Sequence, residues 1–257
     1  MKRMASTTSP VYADKNISAE KSGIFTPTLN MMGWQQNALD EYLTEFVNKS
    51  RNFTRPVADV GCAYGFVTKK LLDEGLTVIA NDLEKEHLSQ LWNELSPEQQ
   101  SRLKCHPGSV LDVELPAGSL DGVVAARLLQ FFTTEAVRKS CDLFYSWLAP
   151  GGYLCITNTS PYRGTTDDFI AQYEKNKADG MEWPGITTTD SLDKNRQKRI
   201  VVAQTGYRFD PEVLAREARR VGFKVLKCSY YSTPFLPDEF RSADGVRDAI
   251  GLMAVKE

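Results

Sequence analysis

One pattern constrains this chain more than any other: apolar strands alternating with amphipathic helices. "VADV" (57–60), "TVIAN" (77–81), "LKCH" (103–106), "DGVVAARL" (121–128) and "YLCITN" (153–158) read as short strands. Helix-period segments stand between most of them. One runs from Phe66 to Glu74 and is stopped by Gly75. A second, "EKEHLSQLWNEL", puts Leu88, Leu91, Trp92 and Leu95 on one face. A third, "TTEAVRKSCDLFYSWL", is ended by "APGG". Strand-then-helix repetition with nearly continuous apolar strands predicts a parallel sheet covered by helices on both faces.

The flanks complete the architecture. "WQQNALDEYLTEFVNK" carries Trp34, Ala38, Leu39, Tyr42, Leu43, Phe46 and Val47 at helical spacing, which predicts a helix from Trp34 onward. Near the other end Asp210 suits an N-cap, Pro211 a first helical turn and Gly222 a C-terminal cap. "KVLKCSYY" and "AIGLMAV" follow with no helical pattern between them, so they predict an antiparallel pair. The fold class is therefore α/β: a doubly wound, seven-stranded, mostly parallel sheet with an antiparallel last strand. Residues 1–33 read as a polar N-terminal arm and 34–257 as the body. A polar insertion at about 160–207, partly helical around Asp167 to Lys177, follows the fifth strand and is expected to act as a lid.

Composition excludes several classes. With 42% hydrophobic and 25% charged residues over 257 positions, the chain is an ordinary soluble one. A net charge of -2 lacks the basic excess of a nucleic-acid-binding protein. No run resembles a signal peptide or approaches a membrane span. Five cysteines without a CxxC pair suit a reduced, cytoplasmic compartment. Two histidines and no cysteine at ligand spacing predict no metal site. "KNRQKR", Lys194 to Arg199, reads as a solvated basic loop, with attraction of an anionic substrate as the alternative.

Chemistry is expected at the carboxyl ends of the strands, where doubly wound sheets hold ligands. "VADVGCAYGF" (57–66) places Gly61 and Gly65 directly after the first strand. A dinucleotide turn needs G-x-G-x-x-G, but here the glycines are four apart and Phe66 stands where the third would be. The stretch resembles motif I of the class I S-adenosylmethionine-dependent methyltransferase superfamily, an acidic residue followed by G-x-G-x-G. Asp59, Gly61 and Gly65 match it, and Ala63 replaces the middle glycine. Asp82 at the end of the second strand, "LAPGGYLCIT" and the terminal strand pair extend the resemblance over roughly Trp34 to Glu257, apart from the insertion. At the step after the third strand Ser109 stands where the family carries an acid.

The resemblance implies a Rossmann-like methyltransferase fold, S-adenosylmethionine as cofactor and S-adenosylhomocysteine as its product. It implies that Asp59 and the backbone of Gly61, Cys62, Ala63 and Gly65 hold the methionine portion. It further implies Asp82 at the ribose, Leu83, Ser109 and Val110 around the adenine, and Ala126 with Arg127 at the methionine end. A small molecule is the expected acceptor; a protein or peptide acceptor and a non-catalytic binding protein are the alternatives. Tyr12, Asn158, Tyr162 and Arg163 are the candidate acceptor contacts, and Trp34 is a further residue placed to close the site. His106, at the end of the third strand, is the candidate base.

Overall fold

A computed structural model describes residues 23–191, 206–236, 238 and 241–257. Seven strands form one sheet in the order β10-β11-β7-β6-β3-β4-β5. They are β3 (Val57–Val60), β4 (Val78–Asp82), β5 (Leu103–Pro107), β6 (Leu120–Ala126), β7 (Leu148–Thr159), β10 (Phe223–Tyr231) and β11 (Ala249–Lys256). Strands β3 to β7 run parallel, whereas β11 is antiparallel to both β7 and β10. The chain steps outward from β3 through β4 to β5, then returns to the other side of β3 as β6. The reversal point thus lies between β3 and β6, and a crevice opens at their carboxyl ends.

Both faces of the sheet are buried. Ala58, Val60, Val123, Ala125, Leu154 and Ile156 point to one side, against α5 (Thr134–Trp147) and α7 (Pro211–Arg220). Val57, Val78, Ala80, Val124 and Cys155 point to the other. There they meet α1 (Glu41–Ser50), α2 (Phe66–Asp73) and α3 (Lys85–Glu94). Burial on both faces is why the strands read as continuous apolar runs instead of alternating ones. Trp92, expected on the apolar face of α3, is exposed, while Leu88, Leu91 and Leu95 are buried.

The N-terminal region departs from expectation. Helix α1 starts at Glu41, seven residues later than the apolar spacing predicts. Asp40 is the reason: its extended backbone and its Oδ1, which accepts from Leu43 N at 3.0 Å, set the cap there. Trp34–Gln36 instead forms β2, an antiparallel partner of β1 (Phe25–Pro27). The insertion contains α6 (Asp167–Ala178), close to the expected helix, and a short ladder of β8 (Ile186–Thr187) with β9 (Gly206–Tyr207). A small helix, α4 (Pro97–Ser101), precedes β5 and carries a complete capping box from Ser96 and Gln99. No helix among the described residues is long and apolar enough to cross a membrane.

Candidate active site

A cavity of about 250 Å³ lies over the carboxyl ends of β3, β4 and β6. Its floor is the glycine turn. Gly61 (φ +69°) and Gly65 (φ +73°) occupy the left-handed region, which glycine adopts without strain. A Cβ on Gly61 would lie 2.7 Å from Leu128, and one on Gly65 2.6 Å from Leu91, so both positions also lack room. Ala63 takes the same region at φ +47°, held by its N–H donating to Asp82 Oδ2 at 2.8 Å. Cys62 N donates to the Asn81 carbonyl at 3.0 Å. The turn is thus tied to the end of β4 from two of its residues.

Asp59 sits beneath the turn, 1% exposed, and accepts from the Thr68 hydroxyl at 2.6 Å. Burial pushes its carboxyl up to about 6; the Thr68 hydrogen bond opposes that shift and the nearby Asp82 adds to it. Asp82 is almost wholly committed. Besides Ala63 N on Oδ2, its Oδ1 accepts from Glu84 N and from His87 Nδ1, each at 2.9 Å. A carboxylate offers about four acceptor positions, so Asp82 keeps one for a ligand, on Oδ2.

His87 is the residue that sequence reading missed. It falls in a helix rich in polar residues, yet it is only 1% exposed and lines the cavity. The Leu29 N–H donates to its Nε2 at 2.9 Å. An accepting Nε2 carries no hydrogen, so Nδ1 does, and it donates to Asp82. The Tyr64 ring packs edge-on against the imidazole at 4.6 Å, and the Tyr64 hydroxyl donates to the Pro27 carbonyl at 2.8 Å. His87 and Tyr64 thus fasten the β1–β2 hairpin over the glycine turn. From that hairpin Phe25, Thr28, Asn30, Met32, Trp34 and Gln36 line the cavity. Its five-residue distance from Asp82, in the first turn of the next helix, is the one sequence signal for His87.

The other expected residues divide clearly. Leu83, Ser109, Val110, Ala126 and Arg127 all line the cavity, with Leu83 61% exposed. The Ser109 hydroxyl accepts from Leu111 N at 3.2 Å and so shapes the turn after β5. Arg127 has φ +57°, and its guanidinium donates to Asp40 at 3.0 Å. The Tyr231 hydroxyl donates to the same Asp40 oxygen at 2.7 Å. His106 does not line the cavity. It is half-buried at the end of β5, and its carbonyl accepts from the Asn81 amide.

Of the acceptor candidates, Arg163 lines the cavity and is 7% exposed. Asn158 and Tyr162 do not. Asn158 is fully buried and its Oδ1 accepts from Gln130 N at 3.2 Å; Gln130 Oε1 accepts from Thr159 N at 3.0 Å in return. Tyr162 packs against Tyr173, Tyr230 and Arg247 and donates to Glu174. Tyr12 and the basic run Lys194–Arg199 lie outside the described residues. Among the described residues of 160–207, Arg163 alone lines the cavity, and among the described residues the roof is made by the hairpin.

Two features of the cavity fit a nucleoside-bearing amino acid. Gly108, at φ +114°, faces open space beside Ser109, leaving room for a flat group. Gln36 Oε1 is buried and has no hydrogen-bond partner, which suits a donor such as an ammonium.

Residues 58–156 match a family described as a methyltransferase domain. No curated protein matches the chain by sequence. Among solved structures, the glycopeptide N-methyltransferase MtfA with S-adenosylmethionine is 15% identical, covering 84% of this chain and 92% of that one at a TM-score of 0.57. An S-adenosylmethionine-dependent methyltransferase from Mesorhizobium loti is 13% identical, with 84% and 98% covered and a TM-score of 0.60. One from Archaeoglobus fulgidus is 15% identical, with 83% and 91% covered and a TM-score of 0.56. At such identities the likeness to solved structures shows a shared fold.

Proposed function

We propose that the chain is a class I S-adenosylmethionine-dependent methyltransferase, residues 58–156 matching a methyltransferase domain, and that it methylates a small molecule within the cavity beneath the β1–β2 hairpin. It is an enzyme of this kind and S-adenosylmethionine is its cofactor. The observation that carries the small-molecule reading is the roof. A hairpin fastened at Leu29 and Pro27 encloses the strand ends, where a peptide acceptor calls for an open groove.

When bound, the cofactor supplies a methyl group already activated on a sulfonium sulfur. The protein's task is then chiefly to position and to exclude water. The free acceptor position of Asp82 takes a ribose hydroxyl, and Leu83 and Val110 flank the base. Gln36 Oε1 accepts from the ammonium and Arg127 pairs with the carboxylate. Gly61, Cys62 and Ala63 bring the turn to the cavity, while Gly65 packs against Leu91. Five free cysteines support a cytoplasmic setting.

The test is to incubate the protein with methyl-labelled S-adenosylmethionine and a cell extract split at a few kilodaltons. Label should accumulate in the small-molecule fraction. Label entering only the macromolecular fraction would overturn the small-acceptor reading.

A further inference from the structure

The strand order divides the cavity into two sides. Leu83, His87, Ser109 and Val110 gather at the β4–β5 side, where the nucleoside belongs. Gln130, Phe131 and Phe132 after β6, Thr159 at the end of β7 and Arg163 beyond it make up the opposite side. Any acceptor has to approach from there.

Titratable groups are distributed unevenly between the two sides. Asp59, Asp82 and His87 all lie toward β3 and β4, and each is already engaged: Asp59 by Thr68, and Asp82 and His87 by one another. On the β6–β7 side the described lining residues include no carboxylate, imidazole or phenol. What that side does carry, besides Arg127 with its guanidinium on Asp40, is Arg163, a residue 7% exposed. Arg163 has an interaction within the chain, yet its five N–H donors form a fork that can hold a partner and a ligand together.

We infer that the methyl acceptor is a small carboxylic acid, its carboxylate on Arg163 and its apolar body against Phe131, Phe132 and Met32. This rests on the methyl-transfer reading above. An alcohol or a protonated amine must lose a proton on the way to product, and no described residue on this side is placed to take one. A carboxylate is already ionised at neutral pH, since its ordinary value lies near 4. The step balances without a base. One carboxylate oxygen lone pair forms the new C–O bond to the methyl carbon while the C–S bond breaks and its electron pair returns to sulfur. Anion and sulfonium become a neutral ester and a neutral thioether, and no proton moves. An ammonium acceptor, by contrast, would face the Arg163 charge.

The experiment starts from the protein saturated with S-adenosylhomocysteine. Failure of that compound to bind would defeat the methyl-transfer reading itself. Once it is bound, calorimetry compares benzoate, hexanoate and 3-phenylpropionate with their primary amides, which match them in shape but carry no charge. At least one acid should bind about tenfold tighter than its amide, and Arg163→Gln should cut that preference to roughly threefold or less. Arg163→Lys, which keeps the charge, should retain an intermediate preference. Equal binding of every acid and amide pair, or a preference undiminished in Arg163→Gln, overturns the inference while leaving cofactor binding intact. Should Arg163→Gln fail to fold, the acid-against-amide comparison in the unaltered protein decides the matter alone.

Discussion

Replacing His87 by Phe isolates the clamp that closes the cavity. Phenylalanine keeps a flat ring against Tyr64 but removes both nitrogens. The Leu29 N–H then loses its acceptor, and Asp82 Oδ1 loses one of its two donors. Leu29 is 45% exposed and its bond to His87 is part-buried, so the N–H left unpaired costs at most about 1–3 kcal/mol, and a hydrogen bond to a charged group contributes about 1.5–3 kcal/mol. The ceiling is therefore about 6 kcal/mol if the hairpin stays in place. A hairpin that lifts lets water reach Leu29, which removes the first cost and leaves about 1.5 kcal/mol as the floor. Urea unfolding reads the total. Amide hydrogen exchange over residues 25–36 reports whether the hairpin has lifted. The expected result is a loss between those bounds with faster exchange at Leu29. A loss under about 0.5 kcal/mol with unchanged exchange would refute the view that His87 fastens the roof.

Further outcomes follow from the same geometry. Asp59, raised from 3.8 to about 6, stabilises the fold fully below its unfolded value and loses that contribution as pH climbs through 6. The two values imply that Asp59→Asn gains about 2 kcal/mol relative to the parent between pH 4 and pH 7; a difference flat with pH in parallel unfolding titrations would contradict this. Gly65→Ala meets both left-handed strain and the buried Leu91 side chain, for about 2–5 kcal/mol and a clear fall in Tm. Gly75→Ala, at φ +83° with open space, should cost only about 1–2 kcal/mol, so equal losses would count against the packing argument. Asp40→Ala strands the Arg127 guanidinium and should destabilise by about 3–5 kcal/mol in denaturant titration, whereas Tyr231→Phe, which keeps that ion pair, should cost far less.

The sheet was legible because its strands are buried on both faces and its helices show clear stops: Gly75, Pro211 and Gly222 each fall at a boundary, and "APGG" follows the end of α5 at once, although it lies inside β7. The glycine turn was legible for a related reason, since Gly61 and Gly65 answer a backbone need that few residues meet. The hairpin was not. Trp34 and Ala38 happen to continue the helical spacing of α1, and only the cap at Asp40 ends it, so three strand residues read as helix. His87 was hidden by its neighbours, because a polar helix gives no hint that one member turns back toward a strand end. Asn158 and Tyr162 stand beside the site in sequence. In space Asn158 braces the turn after β6, and Tyr162 packs within an aromatic cluster.

What the cavity binds decides the function most directly. Calorimetric titration with S-adenosylhomocysteine should give one site per chain with micromolar affinity. That heat should be lost in Asp82→Ala, which removes the last free acceptor on the floor and releases Ala63 N and His87. No heat at millimolar ligand, or heat from NAD in its place, would contradict it.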